Sequence, residues 1–171
     1  MRSKTILLIS MLLLITLVGC TNIDNKETRE VNSTFSLPIT LGDGTEGEYL
    51  LIGEEEKVGF LVGSGKKGEV VEEKIIANKA NKYMWHFWGD QNRISGDFKV
   101  VGIDKKGKAH PVLLSGDATV WQYPNTSISP NNGADSHLPS SMVFPTSGLW
   151  TLEIYFNEKL FGDIVLHVED S

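Results

Sequence analysis

The 171-residue chain carries 16 basic against 22 acidic residues, a net charge of −6. That balance argues against nucleic-acid binding, whose affinity rests on phosphate neutralisation by Lys and Arg. Cys20 is the only cysteine, which excludes intrachain disulfides and metal centres built from several thiolates, so an apolar core must hold the domain together.

The chain opens on Arg2 and Lys4, runs through Ile6 to Ile9 and Met11 to Val18, and closes this apolar stretch with Leu17-Val18-Gly19-Cys20. A basic start and an apolar run too short for a membrane span are the two leading parts of a secretory signal. The segment resembles a bacterial lipoprotein signal peptide. That resemblance implies cleavage before Cys20 and a diacylglyceryl group on its sulfur, with residues 1–19 lost. It also implies attachment to the extracytoplasmic face of the cell membrane through lipid. Two buried acyl chains hold a protein firmly where one does so only marginally. The mature chain would keep 14 basic and 22 acidic residues, and its acidity argues against a second attachment through anionic lipid.

Residues 21–34 (TNIDNKETREVNST) are polar and without period, as expected of a flexible tether with a mean reach of about 20 Å. Residues 35–171 are expected to form one domain. From Tyr49 onward, short runs rich in Val, Ile, Leu and aromatics alternate with Gly, Asn, Asp and Pro, the pattern of an all-β, antiparallel sandwich. Strands are predicted at Tyr49 to Ile52, Val58 to Val62, Val71 to Ala77, Tyr83 to Trp88, Phe98 to Asp104 and Ala109 to Leu114. Four more are predicted at Thr119 to Tyr123, Ser141 to Phe144, Trp150 to Phe156 and Leu160 to Val168. The last two flank Asn157-Glu158-Lys159 as a hairpin, with Trp150, Leu152, Ile154 and Phe156 on one face. Between Gln122 and Ser140 the sequence is polar and studded with Pro, Asn, Ser and Gly, and it is read as a long loop, functional or disordered.

Met142-Val143-Phe144-Pro145-Thr146-Ser147-Gly148-Leu149-Trp150 stops a strand with Pro and Gly and opens the next with an aromatic. It resembles the E to F corner of bacterial immunoglobulin-like domains, which makes an immunoglobulin-like β-sandwich the expected fold. Together with Lys82-Tyr83-Met84-Trp85-His86-Phe87-Trp88-Gly89 and Lys159-Leu160-Phe161-Gly162, this corner looks like a group of small Firmicutes (Bacillus-like) lipoproteins whose domain has no assigned function. The resemblance implies a fold and a cellular setting and carries over no catalytic residues.

The aromatic run 82–89 places large side chains on both faces of one strand. The ordinary reading is a central strand buried on both sides. The sharper reading makes one face, either Tyr83, Trp85 and Phe87 or Met84, His86 and Trp88, a ligand platform. Candidate binding residues are therefore Trp85, His86 and Trp88, with Trp121 and Tyr123 entering the polar stretch and Asp135 and His137 within it. Aromatics suit such a role because their rigid area costs little entropy to order. His86, His137 and Asp135 also offer imidazole and carboxylate suited to copper or zinc, although no His-x-x-x-His pair or cysteine ligand joins them. Asp135-Ser136-His137 contains the residue types of a hydrolytic triad, but consecutive side chains on an extended chain diverge, and no Gly-x-Ser-x-Gly elbow is present. Gly63-Ser64-Gly65-Lys66-Lys67-Gly68 lacks the order of a phosphate loop and reads as a hairpin turn. The sequence thus favours a noncatalytic binding or accessory module of the cell envelope, without a cofactor, whose partner is a protein or wall glycan. A metal-binding lipoprotein is the alternative.

Overall fold

The computed structural model describes residues 30–171; the predicted signal segment, Cys20 and most of the predicted tether lie outside them. Among the described residues there is no helix. Thirteen strands run in the order β1 (Thr34–Thr40), β2 (Glu46–Glu54), β3 (Val58–Lys66), β4 (Asn81–Phe87), β5 (Gly96–Ile103), β6 (Ala109–Pro111) and β7 (Leu113–Ser115). They continue with β8 (Ala118–Val120), β9 (Gln122–Thr126), β10 (Ser129–Asn131), β11 (Ala134–Met142), β12 (Gly148–Phe156) and β13 (Lys159–Val168). One sheet has the order β1-β2-β3-β4-β11-β7-β8 with β10 paired to β11, and the other the order β13-β12-β5-β6 with β9 paired to β5. Every pairing between strands is antiparallel, and the two sheets pack face to face as a β-sandwich.

Alternation builds the layer between the sheets. Phe60, Trp85, Phe87 and Leu138 project from one sheet, and Phe98, Val100, Trp150, Leu152, Ile154, Phe156, Ile164 and Leu166 from the other, all buried. Phe87 is the hub of an aromatic cluster, with ring centroids 5.1 Å from Phe156, 5.6 Å from Phe161 and 6.0 Å from Phe98 at steep interplanar angles.

The C-terminal hairpin forms as predicted on its buried face. Its loop is shorter by one residue, because Phe156 pairs with Lys159 across Asn157 and Glu158 alone. Both of these have positive φ, 47° and 66°, the tight turn whose twist matches that of the strands. The 143–147 corner carries the chain from β11 in one sheet to β12 in the other. Trp150 Nε1 donates to the Thr146 carbonyl at 2.9 Å, and the Trp150 ring meets Phe144 edge-on at 5.3 Å.

Five sequence expectations are corrected. Val71 to Ala77 is not a strand: Ile75 and Ala77 are buried, Val71 is exposed, and the segment is held by single backbone bonds from Glu73 to Val62 and between Glu169 and Ile75 and Ala77. The predicted strands Ala109 to Leu114 and Thr119 to Tyr123 each break, at Val112 and at Trp121, because the chain there passes from one sheet to the other. Ser141 to Phe144 is only the end of β11, which stops at Met142 and leaves Phe144 in the corner. The stretch from Gln122 to Ser140 is not a long loop: β9, β10 and most of β11 occupy it, with Asn132-Gly133 as the two-residue turn between Asn131 and Ala134. The strand β1, unpredicted, lies along β2, and just before it Asn32 is bonded to Val165 through its backbone N–H (2.9 Å) and its side-chain oxygen (2.6 Å).

Candidate functional site

Side chains with binding or acid–base chemistry gather in three places. The first is the outer face of the larger sheet, the side away from the sandwich core. Register puts Phe35 opposite Leu51, Gly59 opposite His86, and His86 opposite His137, so these side chains share that face. Gly59 is what allows the close packing. A Cβ there would lie 2.7 Å from Leu51 Cδ2 and 3.0 Å from Phe35 Cζ, so only a bare backbone lets those two side chains lie over β3 beside His86. The turn between β10 and β11 approaches from the other edge, where a Cβ on Gly133 would lie 3.8 Å from Leu37 Cδ1. The sheet therefore curls over its own outer face and makes a second apolar layer, in which Leu51 is wholly buried.

His86 lies in this layer at 0 % exposure, its ring 5.5 Å from Tyr49 and 6.3 Å from Trp88, and neither ring nitrogen has a hydrogen-bond partner. Burying an unpaired polar atom costs about 1–3 kcal/mol, so two on one ring call for an explanation. Burial, with the facing His137 adding to it, pushes the imidazole down to about 4. His137 is half-buried at the rim, and its Nδ1 lies 2.7 Å from the Ser129 carbonyl; with Nδ1 as the donor, Nε2 is left as the bare acceptor. Asp135 lies further along the same face of β11, and its carboxylate accepts the Gly89 N–H at 2.8 Å. The Trp88 indole donates to the Gly133 carbonyl at 3.0 Å, and its ring lies 6.1 Å from Phe35. Ser136 points the opposite way, into the sandwich, and is buried, so Asp135, Ser136 and His137 do not converge as a triad.

Trp85 is also fully buried, on the core face of β4, with Nε1 donating to Ser140 Oγ at 2.8 Å. Both faces of the aromatic strand are therefore covered, and neither Trp85 nor His86 presents an open platform. Tyr123 is likewise committed: its hydroxyl lies 2.7 Å from the Leu114 carbonyl and 3.1 Å from that of Ser141, tying β9 in one sheet to β7 and β11 in the other.

The second place is the break between β8 and β9. Trp121 sits where the chain changes sheets and is 42 % exposed, while its carbonyl accepts the Val100 N–H at 3.0 Å. Its ring borders an open depression of about 430 Å³ shared with Lys99, Val101 and Gln122. Lys99 Nζ lies 5.4 Å from the Tyr155 ring centroid and 3.5 Å from a Glu158 carboxylate oxygen.

A third arrangement was not anticipated. His110 Nε2 lies 3.0 Å from Asp104 Oδ2 across the β5–β6 hairpin, and its ring stands 5.2 Å from that of Trp150. The hydrogen bond from His110, with backbone N–H groups of Lys108 and Lys106, holds the Asp104 carboxyl down to about 2. No nucleophile is bonded to this pair, and it braces a turn. Its sequence signal was an Asp and a His flanking Lys105-Lys106-Gly107-Lys108, a hairpin turn that would bring them together. Among the described residues no group of three or more His, Cys, Asp or Glu side chains is arranged to hold a metal ion.

This combination, a two-sheet antiparallel sandwich with a curled outer layer and one exposed aromatic at a sheet crossover, defines a small all-β sandwich domain. Residues 46–166 match the family model described as a domain of unknown function, DUF4871, and the chain belongs to that family. Among solved structures it is similar to a crystal structure of a candidate lipoprotein from Bacillus anthracis, with 28 % identity over 82 % of this chain and 86 % of that one and a TM-score of 0.58. No curated protein matches the chain.

Proposed function

We propose that the protein is an envelope lipoprotein, anchored through Cys20, whose sandwich is a noncatalytic binding module contacting its partner around Trp121. The observation that carries this reading is the exposure of Trp121. The large aromatics of the core are covered, whereas this ring is 42 % open beside a depression with an amine and an amide on its rim, Lys99 and Gln122. Exposed Trp flanked by polar groups is the composition of a recognition surface, with the ring as anchor and its neighbours fixing orientation. The B. anthracis neighbour and the sequence of residues 1–20 support the lipid anchor. Confinement near the membrane raises the effective concentration of neighbouring envelope components, so modest affinity suffices.

The test is photo-crosslinking in intact cells with a photoreactive residue at Gln122, followed by mass spectrometry. A specific protein adduct that disappears with Trp121→Ala supports the reading. Adduct formation unchanged by Trp121→Ala, or none above a Cys20→Ala control, refutes it for a protein partner. The planar Trp121 face and the amide of Gln122 also suit stacking on a sugar ring, so retention on purified cell-wall glycan, lost in Trp121→Ala, would identify glycan as the ligand.

A further inference from the structure

We propose that His86 and His137 form a two-imidazole site for copper(I) on the outer face of the curled sheet. The proposal is independent of the Trp121 reading and uses none of its residues.

Two observations carry it. His86 is wholly buried, with both ring nitrogens unpartnered, among apolar and aromatic side chains with His137 facing it. A leucine would fill such a place without loss, whereas an imidazole with a free lone pair is what a metal ion would use. His137 stands directly opposite on β11, and directly paired residues on antiparallel strands have Cβ atoms about 4.5–5.5 Å apart, a span that two imidazoles can bridge through one ion. Nδ1 of His137 is anchored to the Ser129 carbonyl, and that second bond fixes the ring and leaves Nε2 as the ligating atom, as metal-bound histidines are commonly held.

The choice of ion follows from the ligand count and surroundings. Zinc in a protein site takes three or four protein ligands, and no such group is present among the described residues. Copper(I) is satisfied by two nitrogens in a line and favours soft, dry surroundings. The Tyr49 and Trp88 rings lie 5.5 Å and 6.3 Å from that of His86, placing aromatic π-density beside a buried monovalent cation. By strand alternation the Met84 thioether is on the same face, two residues from His86. His137 at the rim gives the ion a way in, and buried His86 holds it away from water.

The experiment uses the full-length chain in detergent with Cys20→Ser, so that no thiol competes, titrated anaerobically with copper(I) against a chromophoric copper(I) chelator. The expected result is one equivalent of copper(I) withheld per chain. X-ray absorption should then show a two-coordinate, nitrogen-dominated environment. His137→Gln, a rim substitution that leaves the apolar layer in place, should weaken binding at least tenfold, and His86→Leu should do the same, while His167→Ala, at an exposed position of β13, should leave it unchanged. No withheld copper(I), equal binding in His137→Gln, or stoichiometric zinc bound in preference would each overturn the proposal.

Discussion

The indole of Trp85 donates to Ser140 Oγ at 2.8 Å inside the sandwich, joining β4 to β11 on the side facing the other sheet. This explains a serine at an inward position of β11, where alternation otherwise calls for an apolar residue. Ser140→Ala leaves the buried indole N–H unpaired and is expected to cost about 1–3 kcal/mol, read as a lower urea midpoint at unchanged slope. A midpoint equal to wild type would mean that the bond contributes nothing.

How much of the fold is legible in the sequence depends on what carried the signal. The β12–β13 hairpin was readable because the large apolar residues Trp150, Leu152, Ile154 and Phe156 recur at every second position. The β10–β11 hairpin was not, although Asn132-Gly133 is a strong turn signal, because β11 reads Ala-Asp-Ser-His-Leu-Pro-Ser-Ser-Met and its inward positions include two serines. Ser140 is inward to satisfy an indole, a reason that exists only once β4 is alongside. Val71 to Ala77 erred the other way, its β-branched run adding Ile75 to the core without pairing as a strand. Trp121 and His137 could be named as candidates from their types. That His86 would be buried beside Tyr49 and Trp88 rested on the curl of the sheet, which no local pattern encodes.

Gly102 faces the core, and a Cβ there would fall 2.5 Å from Val112 Cγ1 and 3.1 Å from the Trp150 ring. Gly102→Ala is therefore expected to destabilise by about 1–3 kcal/mol through overpacking. Combined with Val112→Ala, which removes the clashing methyl, the loss should be smaller than the sum of the two single losses. Strict additivity in urea denaturation would place the cost of Gly102→Ala elsewhere.

Of the four tryptophans, Trp85 and Trp150 are buried, Trp88 is half-buried and Trp121 is exposed. Acrylamide should therefore quench a limited fraction of the fluorescence strongly, and Trp121→Phe should remove most of that fraction. Because the side chain projects into solvent, the substitution should change stability by no more than about 0.5 kcal/mol. Strong quenching that persists in Trp121→Phe would show that another ring is open and would move the proposed contact surface.

His86 should make the metal-free protein sensitive to mild acid. The groups that face its ring are His137 from β11, Tyr49 from β2 and Trp88 from just beyond its own strand. Its pKa in the folded chain is lowered to about 4 by burial, against 6.5 for an exposed histidine. Between those values the unfolded chain binds a proton that the folded one refuses. Stability from this group is therefore complete above pH 6.5 and declines as pH falls toward 4, by at most about 3 kcal/mol. Asp104, held down to about 2, acts in a separate window: its contribution persists until pH falls below the ordinary carboxylate range. Urea midpoints measured between pH 7.5 and 4.5 should accordingly drop for the wild type and drop much less for His86→Leu. Parallel pH profiles for the two proteins would show that the imidazole is not the group being titrated.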